Sequence, residues 1–301
     1  MTDATLSTGL GVSAQPAPAA AKMRGYWGTV GHRLRYDYVT LAFLLVIILI
    51  ALAAILAPLI APFDPNKTGM AYRLKPIGFR DFRLGTDELG RDMLSRLIWG
   101  GRMSLLMGLA PVLVATAIGG TLGVVAGFNG GKLNMLIMRT IDVFFAFPSV
   151  LLAVAISGIM GGGMINGLIA LTLVFVPPLC RIAETATTQV RNLDFVEAAR
   201  ASGASTGSII AHHILGNVMA PVLIYASSLI SVSVLLSAGL SFLGLGVEPP
   251  TPDWGLMLST LRQAIYVQPL VCALPGVAIF ITSLSFNLVS DGLRHAMDVR
   301  I

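Results

Sequence analysis

The side chains most suggestive of chemistry are two adjacent histidines, His212 and His213. Imidazoles bind metals and relay protons, but neighbours on a helix point to different sides of it, so the pair does not converge on one ion. The two cysteines, Cys180 and Cys272, both sit in apolar runs. A buried thiol there acts as a small hydrophobe, and no Cys/His set has zinc-ligand spacing. Gly127-Phe-Asn-Gly-Gly-Lys132 comes nearest to a phosphate loop. It lacks the glycine spacing and the Ser/Thr after the lysine, so it reads as a tight turn between two apolar segments. No nucleophile stands beside a base, and no paired acids occur. The expectation is a chain with no catalytic residues, no metal and no cofactor of its own.

The most informative polar stretch is Asp194-Phe-Val-Glu-Ala-Ala-Arg-Ala-Ser-Gly203, continuing Ala-Ser-Thr-Gly-Ser-Ile-Ile-Ala-His-His-Ile214. Asp194 followed three residues later by Glu197 suits a capping box, with Asp in place of Ser or Thr. Ala198, Ala199, Arg200 and Ala201 favour helix. Gly203 stands where a helix would stop in a left-handed conformation. Ser205 or Thr206 then suits the start of a second short helix reaching about Ile214. Helix, glycine turn, helix is the local reading. From the residues alone, an amphipathic connector resting on lipid headgroups is equally consistent with it.

The surrounding chain specifies what must position this stretch. Of 301 residues, 55% are hydrophobic and only 12% charged, where soluble domains carry roughly a quarter. The bilayer must therefore serve as part of the solvent. The net charge of +5 is scattered between apolar runs, without the basic–aromatic clusters that bind nucleic acid. Residues 1 to about 21 read as a disordered tail. The apolar stretch from Tyr38 to Phe63 follows Lys22, Arg24, Arg33 and Arg35. It is too long and too deep in the chain for a cleaved signal.

Five further apolar segments fall near 103–126, 141–160, 165–182, 218–243 and 268–290, each long enough for a core of about 30 Å. The fold expected is an all-α polytopic membrane protein of about six transmembrane helices. Basic residues before the first helix place the N-terminus in the cytoplasm, although the basic 64–102 segment weakens this rule over the whole chain. The 183–217 loop and the C-terminus then fall inside. Asp142 is expected at the cytoplasmic start of its span, where a helix N-terminus favours an anion, with Arg181 reaching the headgroups.

No Asp, Glu, Lys, Arg or His occurs in 103–129, 143–180, 214–247 or 263–290. Ion-driven transporters and pumps need such groups in the membrane. A self-powered secondary transporter or channel is therefore disfavoured, as is an intramembrane enzyme, and the free energy must come from partners.

Glu197-Ala198-Ala199, three residues, Gly203, then an Ile-rich run ending His213-Ile-Leu-Gly-Asn217 resembles the EAA loop of ABC importer permeases. In that family the loop docks a coupling helix into an ATPase subunit. By this resemblance Asp194, Glu197, Ala198, Ala199, Arg200, Gly203, Ala204 and Ser205 are the candidate ATPase-coupling residues. Gly216 stands where the family often has Pro.

Other segments resemble the same family. These are Leu84-Gly-Thr-Asp-Glu-Leu-Gly-Arg-Asp92 through Ser95-Arg96 to Leu105, Met138 to Asp142 with Ala146-Phe-Pro148, Leu240 to Val247 with Pro249-Pro250 and Trp254-Gly255, Phe286-Asn-Leu, and Asp291 to Arg300. Taken in order, from about residue 35 to the C-terminus, they are similar to the C-type permease subunit of dipeptide/oligopeptide/nickel importers.

The resemblance implies a type I ABC importer permease fold in the bacterial inner membrane, with both termini cytoplasmic. The segments would be a flexible tail over 1–37, a first helix plus extracytoplasmic segment over 38–100, a five-helix core over 101–292 with its coupling loop about 190–217, and a tail over 293–301. Partners would be a homologous second permease subunit, two ATP-binding subunits that use ATP and Mg, an extracytoplasmic solute-binding protein and the lipid bilayer, but no nucleic acid. Substrates would be di- or oligopeptides, alternatively a nickel chelate, an opine or another small solute.

Leu243, Gly244, Gly246, Glu248, Asp253 and Trp254 are candidates for an extracytoplasmic gate or binding-protein contact. Read structurally, Gly244 and Gly246 would permit close packing, Trp254 would be an interfacial anchor, and Pro148 and Pro177-Pro178 would bend their helices.

Overall fold

A computed structural model describes residues 26–297; of the flexible tail expected over 1–37, residues 1–25 lie outside the described residues, as do 298–301, whereas 26–36 is helical. Helix α1 (Tyr26–Tyr36) leads into α2 (Tyr38–Ile55) and the one-turn α3 (Ala57–Ile60). An irregular segment follows, with a single 3₁₀ turn at Met70–Tyr72. Then come α4 (Met93–Asn129), α5 (Gly131–Phe145), α6 (Ser149–Met160), α7 (Met164–Val190), α8 (Asp194–Ala201), α9 (Thr206–Ile209), α10 (Leu215–Phe242), α11 (Trp254–Leu261) and α12 (Pro269–Met297).

Among the described residues five helical stretches are long and apolar enough to cross a bilayer, and α5 with α6 could form a sixth. That sixth element, expected as one apolar segment over 141–160 bent at Pro148, is two separate helices. Helices α5 and α6 meet at 89°. Pro148, extended at φ −58° and ψ 129°, separates them; proline has no N–H to continue the ladder and biases the residue before it away from helix. Pro177 and Pro178, by contrast, lie within a single helix, α7.

The other helices overrun their apolar limits. Asp92 starts α4 ten residues before Met103 by accepting from the Ser95 backbone N–H at 2.8 Å. Gly130, at φ +66°, ends it. The second short helix expected to end near Ile214 does not stop. Through a wider turn at Ile210–Ile214, α9 runs into α10, making one 37-residue stretch over Thr206–Phe242.

Asp142 is likewise not at a helix start but in the last turn of α5. Its carboxylate accepts from Arg181 and lies 3.8 Å from Arg139. Arg181 is therefore held by Asp142 and stacks 4.8 Å from the Phe145 ring centre, instead of simply reaching for headgroups.

The most extensive pairing joins α4 to α7. Gly119, Gly123 and Gly127 recur every four residues, hence on one face of α4. A Cβ on each would come within 2.6, 2.3 and 2.7 Å of the carbonyl oxygens of Val176, Cys180 and Glu184. Backbones this close gain van der Waals contact that lipid cannot supply, which is how small residues join helices in membranes. The main core lies between α4, α7 and α10, with Ala115, Leu171, Leu179, Val218 and Val222 buried in it.

A second core gathers Met93, Trp254, Met257, Leu261 and Val271 at the opposite end from α8. Helix α2 packs chiefly on α12 and α4 and leaves Leu45, Leu49 and Ile55 more than half exposed, as a lipid-facing helix does. Arg102 fastens its far end, donating to the carbonyls of Ala54 at 2.7 Å and Ile55 at 2.9 Å.

Candidate functional site

The 194–214 segment folds as a compact elbow. Leu193, not Asp194, is the residue before the first helical turn, and no side-chain cap forms. The expected capping box is absent: Asp194 and Glu197 both lie inside the first turn, where their charges suit the helix dipole.

The end of α8 follows the glycine-terminated pattern. Gly203 has φ +77°, the Gly203 N–H donates to the Arg200 carbonyl at 3.0 Å, and the Ala204 N–H donates to the Ala199 carbonyl at 3.1 Å. This is the paired Schellman arrangement, which a left-handed residue permits. Ser205 then accepts from the Ser208 N–H at 3.4 Å and starts α9.

Val196, Ile209 and Ile214 are buried in the main core and anchor the elbow from inside. Asp194, Glu197, Ala198, Arg200, Gly203 and Ser205 are exposed, while Ala199 and Ala204 are half-buried. One helix and one turn thus bring all eight residues together, six of them on the open side. The guanidinium of Arg200 lies 5.3 Å from the Phe128 ring centre, linking α8 to the end of α4.

Two contributors were not singled out from the sequence. Phe195 is 43% exposed on the elbow; its place inside the quoted motif was the available signal. Arg191 donates to the Gly127 carbonyl at 2.7 Å and so caps α4, a role with no local sequence sign. His212 lies 3.0 Å from the Ser208 carbonyl through Nδ1, and the two histidines join no metal-binding cluster among the described residues. Gly216 sits within α10, with open space where a Cβ would go.

At the other end of α10, Gly244 (φ +80°) closes the helix, with the Leu245 N–H donating to the Leu240 carbonyl at 2.9 Å. Leu243, Gly244 and Glu248 are exposed. Glu248 and the Gly244 carbonyl border the Gly162–Gly163 turn between α6 and α7. Gly246 is buried, and a Cβ there would come 2.3 Å from Ser241 Oγ.

Asp253 and Trp254 are buried too. Asp253 caps α11 by accepting from the Leu256 N–H at 3.1 Å. It also accepts from Ser104 at 2.7 Å. Burial pushes the Asp253 carboxyl above its ordinary pKa, against hydrogen bonds that act in the opposite direction. Trp254 is no interfacial anchor. Its ring covers Gly100 and Gly101, and its indole N–H donates to the Leu97 carbonyl at 2.9 Å. The side chains the structure leaves open to a partner are those of Leu243 and Glu248, with Asp253 and Trp254 supporting the turn from beneath.

Comparison with known proteins identifies the family. Residues 119–301 match the family model described as binding-protein-dependent transport system inner membrane component. Residues 25–76 match the N-terminal TM domain of oligopeptide transport permease C. The chain is 42% identical over 284 residues to a di/tripeptide transport system permease of Pseudomonas aeruginosa, covering 93% of this chain and 92% of that protein. It is 38% identical over 279 residues to a glutathione transport system permease of Pectobacterium atrosepticum, covering 93% of each. It is 38% identical over 275 residues to a dipeptide transport system permease of Alkalihalophilus pseudofirmus, covering 91% and 90%.

The fold is shared with a chain of the inward-facing MetNI methionine ABC transporter, at TM-score 0.56 and 20% identity over 68% of this chain and 97% of that one. The chain belongs to the family of binding-protein-dependent transport system inner membrane components and, within it, to the C-type ABC importer permeases of the inner membrane.

Proposed function

We propose that this permease joins a homologous second subunit to enclose a path for di- and oligopeptides, driven by two ATPase subunits docked on its cytoplasmic side. The carrying observation is the elbow formed by α8, Gly203 and α9. It exposes Asp194, Glu197, Ala198, Arg200, Gly203 and Ser205 and continues without a stop into the membrane-crossing α10. A force applied to the elbow is thereby applied to α10.

In this reading both termini are cytoplasmic, and ATP and Mg act only in the partner subunits. The chain is not itself an enzyme. An extracytoplasmic binding protein delivers substrate over Leu243, Gly244 and Glu248, which gate the path with Gly246, Asp253 and Trp254 behind them. The relatives named for di/tripeptide, dipeptide and glutathione transport favour short peptides over nickel chelates, opines or other solutes.

The test is uptake of labelled di- and tripeptides by a strain lacking the permease gene, with and without its restoration. Restored peptide uptake is expected. Uptake of only a non-peptide solute would refute the substrate, and vigorous uptake by this subunit reconstituted alone would favour a secondary transporter or channel.

A further inference from the structure

The sequence of the extracytoplasmic segment hides its surface charge. Residues 64–92 carry six basic residues and five acidic ones, close to neutrality. Folding separates them. Asp87 and Asp92 are each 2% exposed. The Asp87 carboxylate accepts from Arg91 Nε at 2.5 Å and lies 3.3 Å from Arg96 Nε. Arg91 also pairs with the half-buried Glu88 at 2.8 Å, and Arg96 donates to the Pro65 carbonyl at 3.0 Å. Asp87 and Glu88 are thus spent on Arg91 and Arg96, and Asp92 on Ser95 at the start of α4.

What remains outside is Lys67, Arg73, Arg80 and Arg83, all exposed, and Lys75, half-buried, against the exposed Asp64 and Asp81. The surface of the segment is strongly positive.

The segment is also built to hold that surface in place. The Phe82 ring lies 5.3 Å from that of Phe63 and 5.5 Å from that of Tyr72. Arg80 and Lys75 each sit 5.3 Å from the Phe79 ring centre. Thr86 accepts from the Lys75 N–H at 2.8 Å. Leu74 and Leu84 pack on the cluster of Met93, Trp254 and Val271. The knob therefore forms one body with the turn that carries Asp253 and Trp254.

We infer that this basic knob is a docking surface for an acidic face of the extracytoplasmic solute-binding protein; the inference rests on the importer reading above. The binding protein is favoured because the chain belongs to a binding-protein-dependent family and the knob forms one body with the turn proposed to receive that protein. A lipid surface is the other anionic candidate, and the experiment separates the two. Complementary charge there would raise the encounter rate and fix orientation, directly beside the proposed gate.

The experiment uses the whole importer, both permease and both ATPase subunits, in vesicles of zwitterionic phosphatidylcholine. The transporter's own solute-binding protein is titrated while ATP hydrolysis is followed. In the triple variant Lys67→Glu, Arg73→Glu, Arg83→Glu, the half-saturating concentration should rise about tenfold at low salt. The gap should close near 0.5 M NaCl, where the screening length is only about 3–5 Å, and the maximal stimulated rate should be unchanged. The corresponding Gln triple should shift less, in the same direction.

Equal half-saturation for wild type and Glu triple at every salt concentration would overturn the docking. So would a shift that appears only when anionic phosphatidylglycerol is added, which would assign the knob to lipid. Absence of any stimulation in the wild-type importer would instead overturn the importer reading and leave the docking without its basis.

Discussion

The Ser104 hydroxyl donates to Asp253 Oδ1 at 2.7 Å and accepts from the Trp254 N–H at 3.1 Å. Two residues 149 positions apart thus join the outer part of α4 to the turn before α11. Both are buried, so neither exchanges its partner freely with water.

Removing one side of this contact strands the other. Asp253→Ala should destabilise the solubilised protein by about 1–3 kcal/mol, measured as a fall in thermal midpoint, and Ser104→Ala should have a similar but smaller effect. The pH dependence has a definite sign. Because burial raises the native pKa of Asp253, the native state keeps this proton to higher pH than the unfolded chain does. Its contribution is complete in acid and is withdrawn as pH climbs past the ordinary carboxylate range towards the raised value. Asp253→Asn should flatten that slope in midpoints measured across pH.

Gly203→Val tests the elbow. At φ +77° a β-branched residue is strained by roughly 1–2 kcal/mol or more, and open space around the position leaves the backbone as the sole cause. The variant should insert in the membrane normally, lose most peptide uptake and retain less ATPase on co-purification. Full uptake with a stable complex would remove the elbow from the coupling path.

Gly123→Ala tests the α4–α7 contact. The added methyl would meet the Cys180 carbonyl at 2.3 Å, so the helices must part. The expected cost is about 1–3 kcal/mol, seen as a lowered thermal midpoint in detergent. Gly120→Ala has open space around it and should be close to neutral.

Asp87→Asn removes the charge shared by Arg91 and Arg96. Breaking a buried pair from one side typically costs about 3–5 kcal/mol. Proteolysis should then cut the 64–92 segment while the remaining helices stay protected.

The apolar runs and the glycine turn at 203 were legible because they are local. Length and composition set the first, and a left-handed residue sets the second. Helix limits were not. Arg181 and Glu184 looked like the edge of a span, but α7 runs through both. Asp142 neutralises one, and Asn134 donates to the other at 2.7 Å, from 39 and 50 residues away in sequence. Trp254 looked like a membrane anchor until Gly100 and Gly101 from α4 provided the surface it covers. The repeat Gly119, Gly123, Gly127 was readable in advance as a helix-pairing face. Gly127 belongs to both that repeat and the Gly127–Lys132 turn, so the two patterns overlap in the sequence.

From Thr206 to Phe242 the helix is continuous, running through a wider turn at Ile210–Ile214 and past Gly216, Pro221 and Gly239 to the turn at Gly244. At 1.5 Å per residue it is a rod of about 55 Å. Pivoting such a rod by about 5° at its foot sweeps its far tip through about 5 Å, roughly the width of a small side chain. Moving as one body, the helix would turn a small displacement at its α8–α9 end into a larger one at its Gly244 end.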